Sequence, residues 1–561
     1  MHTGDLLVEM LVGYGVKYVF GMISGHWPIY DAIHRRPDQI RHILVRDERN
    51  AAYAADGYAR VSHKVGVCDA TLGPGAIKLV SGLVEAYNSS FPVLSLSDDL
   101  PQAWVHLRER GCAAQGMDHL RILELVTKSA ILAPSRASLP EVLHLAFARA
   151  TGGRPGPVAL SIPTDILTGE WTPGAPAPQA APELGRFPSS RPYPAPADVE
   201  RAIHLLQEAE RPAILAGGGV NVSEAHGELR ALAEATGLPV ATTLSGKGCF
   251  AETDLLSAGV AGAQYGEECA NTVLREADVL LLVGCKCSQR TFNWKPPAAG
   301  QRLIHLDVDP EEIGKRFPTE VELVADARAG LQSLLEAARQ ARWPERGAWR
   351  QRVQELRAAW ARELAPEMAS RARPILPQAV MGALQALLGP DDVVVTDASF
   401  SIGWAASFLH AQKDGAKFLF PRGAAGLGFG LGAAMGARLA QPDGNVVVIT
   451  GDGGFGYCLM ELGTLRKYDL RVVVIVLNNS ALSYNRLAAR MRGETDFQSV
   501  TFPDTNYVQI AEGFGCEGVR VEDPAALPDA LARAFRAEGP VLLDVITDGW
   551  QTPELTLRGR V

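Results

Sequence analysis

The residues best suited to chemistry lie in VVVIT-GDGGFGYCLMELGTLRKYDLRVVVIVL-NN, residues 446–479. A β-branched run ends at Thr450 and enters Gly451-Asp452-Gly453-Gly454; a helical pattern, a second apolar run and Asn478-Asn479 follow. An Asp and an Asn emerging from the ends of two strands offer hard oxygen ligands to one crevice. Such ligands suit Mg²⁺, which usually keeps water and phosphate oxygens as well. Gly453 and Gly454 would let backbone N–H groups approach a diphosphate at the helix start. A GDG alone reads equally as a glycine turn. The paired Asn after a second strand is what favours a metal and phosphate site.

Other segments carry chemistry-bearing residues at strand ends. In VRDERNAAYAADGYAR, 45–60, a strand ends near Arg46 and a helix opens with Asp47 and Glu48. Acidic residues there also simply complement the helix dipole. ATLGPGAIKLVSGLVEAY, 70–87, has a Gly73-Pro74-Gly75 turn opening a helix. TDASFSIGWAASF, 396–408, and FPRGAAGLGFGLGAAMGA, 420–437, are further strand-to-helix passages. FGMISGHWPIYDAI, 20–33, puts His26 in a loop after the first strand, where the plain alternative is a surface histidine.

The elements that must position these residues follow a repeating pattern. The chain has 561 residues, too many for one core, so several domains are expected. Trp171–Pro196, dense in Pro and Ala, reads as an extended linker. Gln340–Arg373, rich in Ala, Arg and Glu, reads as an exposed helix joining two cores and ending before Pro374. The expected domains are 1–172, 190–340 and 372–561. Each alternates short apolar runs with longer helical patterns: His42–Arg46, Val65–Ala70 and Val93–Ser97 in the first; Ala213–Ala216, Val279–Val283 and Leu303–Val308 in the second; Val393–Thr396, Val446–Thr450 and Val472–Leu477 in the third. The fold class is therefore α/β, three doubly wound domains with parallel sheets covered on both faces. Such sheets take ligands beyond the carboxyl ends of their strands.

Composition excludes some classes. The net charge of −9 and the lack of a long Lys/Arg run argue against a nucleic-acid partner. No apolar stretch is long enough to span a bilayer, and the first twenty residues read as an amphipathic helix and a strand, not a signal peptide. The eight scattered cysteines read as small buried hydrophobes in a reducing cytosol, Cys285 and Cys287 alone being a poor zinc signature.

The GDG…NN stretch resembles the thiamine diphosphate (ThDP) motif of the superfamily of acetolactate synthase, pyruvate oxidase and benzoylformate decarboxylase, and the resemblance runs along nearly the whole chain. It implies that Asp452, the Asn479 side chain and the Ala481 carbonyl bind Mg²⁺, with Asn478 shaping the turn. Gly451, Gly453, Gly454 and Leu482 would lie against the cofactor. Residues 45–60 are similar to H-E-x-x-A-A-x-x-A-x-G-Y-A-R, with Glu48 as the activating glutamate and Asp47 where many members have His. Residues 72–78 are similar to S-G-P-G-x-x-N, with Leu72 and Lys78 replacing Ser and Asn; Pro74 would lie near the pyrimidine. Ser399, Phe400 and Ser401 would anchor the diphosphate. Leu427 would be the wedge that bends the cofactor, and the Ala425 carbonyl would receive its 4′-amino group. The family shares each site between two subunits, which implies a homodimer and a homotetramer built from it. The middle segment, with Gly217-Gly218-Gly219, is closest to the acetolactate synthase branch, where equivalent segments hold FAD, so it is a candidate FAD site. The synthases' G-x-R-F-D-D-R is replaced here by 284–290, GCKCSQR.

The reaction stays open between two readings. The first is a carboligase resembling acetolactate synthase, which decarboxylates a 2-keto acid and adds the acyl carbanion equivalent to a second carbonyl. The second is a carbon–carbon lyase or 2-keto-acid decarboxylase similar to benzaldehyde lyase, with His26 as proton relay. Ala488 stands where synthases have the Trp that shapes acceptor choice, and of GTDAFQE only the glutamine, Gln115, remains to hydrogen-bond a substrate.

Overall fold

Among the described residues, eighteen strands form three sheets of six, and every strand pairing is parallel. The computed structural model describes residues 2–23, 27–171, 179–292, 298 and 300–554. The first sheet holds β1 (Tyr18–Gly21), β2 (Arg41–Leu44), β3 (Gly66–Ala70), β4 (Val93–Asp99), β5 (Ser129–Leu132) and β6 (Val158–Pro163). The second holds β7 (Ala213–Ala216), β8 (Val240–Thr243), β9 (Ser257–Ala261), β10 (Val279–Val283), β11 (Arg302–Asp307) and β12 (Val321–Val324). The third holds β13 (Val393–Thr396), β14 (Lys417–Leu419), β15 (Val446–Gly451), β16 (Val473–Asn478), β17 (Glu517–Val521) and β18 (Val541–Ile546). All nine runs singled out in the sequence are strands, with ends shifted by a residue or two. Central strands such as β3, β10 and β16 are buried throughout, which is why they lack apolar–polar alternation.

The first and third sheets share one winding, β2-β1-β3-β4-β6-β5 and β14-β13-β15-β16-β18-β17. The second runs β12-β11-β10-β7-β8-β9, the Rossmann order. Strand order reverses between β1 and β3, between β7 and β10, and between β13 and β15. These switch points are where open α/β sheets form ligand crevices.

By packing, the chain divides into two units: Met1–Ser190 with Pro421–Asp443 and Tyr457–Val472, and Arg191–Phe420 with Gly444–Gly456 and Val473–Val561. In the first unit, helix Glu48–Ser62 crosses helix Phe429–Ala440 backbone to backbone. A Cβ on Gly57 would lie 2.1 Å from the Ala433 carbonyl oxygen, and one on Gly436 1.9 Å from that of Ala54. In the second unit, helix Gly347–Met368 departs from the exposed joint expected of that segment. Its Trp349, Val353, Trp360 and Leu364 are buried, the first two in the core of the second sheet and the others in that of the third. Their spacing of four, seven and four residues puts them on one face, and the cost of exposing two indoles holds that face down. Among the described residues, no helix is long and apolar enough to cross a membrane. Seven cysteines are buried and Cys112 is exposed.

Candidate active site

The third sheet positions two loops at its switch point. β15 delivers Gly451–Gly454 and β13 delivers Asp397–Ser401. Gly454 brings them together: a Cβ there would lie 2.8 Å from Asp397 Oδ1 and 3.1 Å from Thr450 Oγ1. Ser399 takes a left-handed conformation (φ 68°) before helix Phe400–Phe408, a conformation costly for a residue with a side chain and frequent at ligand sites. Ser401 is buried in that helix's first turn, and Phe400 packs against Tyr265 and Tyr484.

Asp452 is 3% exposed. Its oxygens accept the amides of Gly453 (2.9 Å) and Ala481 (3.1 Å). Burial pushes its carboxyl up to about 6, against the pull of those amides and of Ser480 and Asn479. A buried carboxylate whose hydrogen bonds come from amides, with the Arg486 charge near it, fits a site for a cation. Asn479 Oδ1 accepts from Ser483 Oγ at 3.0 Å and keeps a lone pair. Two backbone bonds, Leu482 N to Val500 O and Phe502 N to Ser480 O, flank Ala481 and leave its carbonyl outside them. Asn478 points the other way, donating to Asp544 at 2.8 Å and to the Thr505 carbonyl. The Leu482 side chain covers Gly453, where a Cβ would come within 2.6 Å of it. Asp452, Asn479 and the Ala481 carbonyl are thus a fitting oxygen donor set for Mg²⁺, and Gly453, Gly454, Ser399 and Ser401 a fitting anchor for a diphosphate.

The first unit gathers a second group. Glu48 opens its helix after the N-cap Asp47, whose side chain accepts the Arg49 amide. Glu48 is 7% exposed, and its Oε2 lies 3.2 Å from Lys78 Nζ without the alignment of a hydrogen bond. A Cβ on Gly75 would sit 3.1 Å from Glu48 Oε1. Pro74 is exposed at the start of that short helix. Gln115, left-handed and exposed, packs its carbonyl on Gly73, 2.2 Å from where a Cβ would be. Glu48, Pro74 and Gln115 are therefore neighbours around one glycine turn. His26 lies outside the described residues.

Two buried carboxylates that the sequence did not single out hold this unit's functional segments. Glu85 accepts the amides of Gly423 (2.7 Å), Ala424 (2.6 Å) and Ala425 (3.1 Å). It thereby fixes the turn carrying left-handed Ala425 and half-buried Leu427. Glu461 accepts from the Arg46 amide (2.9 Å) and Asn50 Nδ2 (3.0 Å), bracing the start of the Glu48 helix. The one available signal was a lone acid in an apolar helical run, as in Leu83-Val84-Glu85-Ala86.

The second sheet's glycine turn is accounted for by packing. Gly217 N donates to Val283 O and Gly219 N to Gly284 O. A Cβ on Gly217 or Gly219 would strike the backbone at Gly284. Two of the three amides a nucleotide phosphate could use are spent, so this turn does not by itself fit FAD. Among the described residues, Glu252, Glu267 and His410 have the spacing of a metal site. Lys247 already supplies the cation there, 2.7 Å from Glu252.

Two sheets of one winding and a Rossmann sheet, with a buried carboxylate at one switch point and a buried glutamate at a strand end of another, define a three-domain α/β enzyme. Family models agree along the chain: thiamine pyrophosphate enzyme N-terminal TPP binding domain at 1–122, central domain at 199–334 and C-terminal TPP binding domain at 397–545. The chain belongs to the thiamine pyrophosphate enzyme family. It is 36% identical to a probable acetolactate synthase large subunit of Methanocaldococcus jannaschii, over 98% of this chain and 92% of the relative. It is 33% identical to the acetolactate synthase isozyme 3 large subunit of Escherichia coli K12, over 97% and 94%. It is 34% identical to acetolactate synthase 2, chloroplastic, of Zea mays, over 97% and 85%.

Proposed function

We propose that this protein is a ThDP- and Mg²⁺-dependent carboligase that decarboxylates a 2-keto acid and adds the acyl carbanion equivalent to a second carbonyl. The observation that carries the reading is the buried, amide-served Asp452 set beside Asn479 and the Ala481 carbonyl at a switch point. ThDP, when bound, supplies the nucleophilic carbon and the electron sink for decarboxylation. The chain's residues do the rest. Asp452, Asn479 and the Ala481 carbonyl would hold Mg²⁺, whose charge would help to bind the diphosphate. Ser399, Ser401 and the Gly453 and Gly454 amides orient it. Glu48 exchanges a proton with the aminopyrimidine ring nitrogen from a buried position where water does not compete. The Ala425 carbonyl accepts from the amino group, Leu427 supports the bent shape, and Gln115 addresses the substrate. The two half-sites meet between copies of the chain, so a homodimer is the smallest active form.

The chemistry is redox-neutral and needs no flavin; an absorbance spectrum of the purified protein reports whether one is carried. The reading is tested by incubating the protein with ThDP, Mg²⁺ and single or paired 2-keto acids, scoring CO₂ release and acyloin formation separately. CO₂ without ligated product would replace the carboligase by the decarboxylase or lyase reading. Ala488 favours that second reading, since a small, half-buried side chain leaves acceptor selection unshaped.

A further inference from the structure

We propose that Lys78 is a positioning residue for Glu48, gripping one oxygen of its carboxylate and leaving the other for the cofactor's aminopyrimidine; this rests on the role given to Glu48 above. One five-residue segment, Pro74–Lys78, addresses both oxygens. At its start the backbone of Gly75 passes beneath Oε1, so closely that a Cβ would come within 3.1 Å. At its end Lys78 reaches Oε2 at 3.2 Å. The same ammonium stands 3.6 Å from Asp47 Oδ2. One cation therefore serves two carboxylates, one buried and one a third exposed, from a side chain itself half exposed. The flexible lysine stem suits such a shared grip: the ammonium can shift toward Asp47 when Glu48 engages a ring nitrogen, without leaving either acid bare.

The two departures from the family pattern at positions 47 and 78 thus meet in a single contact. Burial alone would lower the Lys78 ammonium, but Glu48 and Asp47 outweigh it and hold it above its ordinary value. Arg49 also faces Asp47, its Nε 4.0 Å from Oδ1, on the oxygen opposite the one Lys78 approaches. Arg49 donates to the Tyr457 carbonyl, and Glu461 is taken up by the Arg46 amide, Asn50 and Thr464.

The test follows hydrogen–deuterium exchange at C2 of bound ThDP against pH, with the ThDP dissociation constant and, without cofactor, the unfolding midpoint. Lys78→Met should raise the midpoint of the acid limb, since an opposite charge beside a carboxyl favours its ionised form. Lys78→Arg should restore the original profile. Asp47→Asn keeps the helix cap and should move the limb the other way, by freeing Lys78 for Glu48. A filler role alone would shift the unfolding midpoint and leave the pH profile in place. If unaltered protein exchanges normally and the Lys78→Met and Asp47→Asn profiles superimpose on it, this inference is overturned and the functional reading stands. If unaltered protein neither binds ThDP nor exchanges, both fall.

Discussion

The carboxylate of Glu85 sits under the turn carrying Ala425 and accepts its amide at 3.1 Å, together with those of Ala424 and Gly423. Glu85 is fully buried and also receives Arg60 at 3.2 Å, whose guanidinium is clasped by Asp56. A turn from late in the chain is thus set by an acid from early in it. The carbonyl and the leucine proposed to shape the cofactor inherit their positions from that acid.

Glu85→Gln is the direct probe. The amide keeps one acceptor oxygen and turns an NH₂ toward backbone donors. Leaving buried donors unmatched costs about 1–3 kcal/mol each, so the variant should lose about 3 kcal/mol of stability. In what remains folded, ThDP affinity should fall more than tenfold. Denaturant melts and calorimetry check the two separately, and affinity unchanged in the folded fraction would detach Glu85 from the site.

The crossing of the Glu48 and Phe429 helices makes a steric prediction. Gly436→Ala places a methyl 1.9 Å from the Ala54 carbonyl oxygen, and Gly57→Ala one 2.1 Å from that of Ala433. Neither neighbour is a side chain that can swing away. Overpacking typically costs about 1–3 kcal/mol and sometimes more, so each variant should sit at or above the top of that range. Gly227→Ala is the control, because a Cβ there meets nothing within 4 Å. It should be neutral or slightly stabilising. Equal unfolding midpoints for the three would show that the helices do not touch as described.

What the sequence made legible divides along physical lines. Strands buried on both faces declare themselves as β-branched runs, so β7, β10 and β13 were read to the residue. Asp452 and Asn479 could be picked out as candidate ligands because a strand end fixes where a short side chain can point. Glu85, Glu461 and Lys78 were not read as site residues, because each acts across a tertiary contact that local spacing does not encode. The Gly347–Met368 helix looked exposed because Ala, Arg and Glu dilute its larger apolar residues. Two tryptophans, at positions 349 and 360, decide the packing instead. The Gly217–Gly219 glycines carry two readings at once: the turn is a weak nucleotide signal, and close backbone contact with Gly284 also calls for glycine there.

Acid stability of the second unit should depend on Glu252. Burial pushes its carboxyl up, but Lys247 and His410 outweigh burial and hold it at about 2, below the 4.5 of a free glutamate. A depressed carboxyl contributes stability that is complete above the unfolded value and is lost as pH falls through the folded one. The window is therefore pH 5 down to 2. Glu252→Gln should lose stability at pH 7, since Lys247 is left buried without its counter-charge, and should show a flatter stability curve between pH 5 and 2. Lys247→Met with Glu252→Gln should recover part of the neutral-pH loss. Parallel curves for unaltered and single-variant protein across that window would refute the assignment.

Asp452 should show the opposite balance between stability and function. Its carboxylate is buried with amides for hydrogen-bond partners and the Arg486 charge within electrostatic reach, an arrangement that still costs the free protein and gains when a cation arrives. Asp452→Asn keeps the size and an acceptor oxygen while removing the charge. In chelator the variant should be at least as stable as the unaltered protein. With Mg²⁺ and ThDP present the order should reverse, because ligand that binds only the folded state adds stability in proportion to RT ln(1 + [L]/Kd), about 2.7 kcal/mol at a hundredfold excess over Kd. Asn479→Ala should behave alike with Mg²⁺, without the gain in chelator, since it removes a ligand and no buried charge. Thermal melts in chelator, in Mg²⁺ alone and in Mg²⁺ with ThDP separate the cases. Mg²⁺-dependent stabilisation surviving both substitutions would place the metal elsewhere, and with it the diphosphate that Ser399 and Gly453 are proposed to orient.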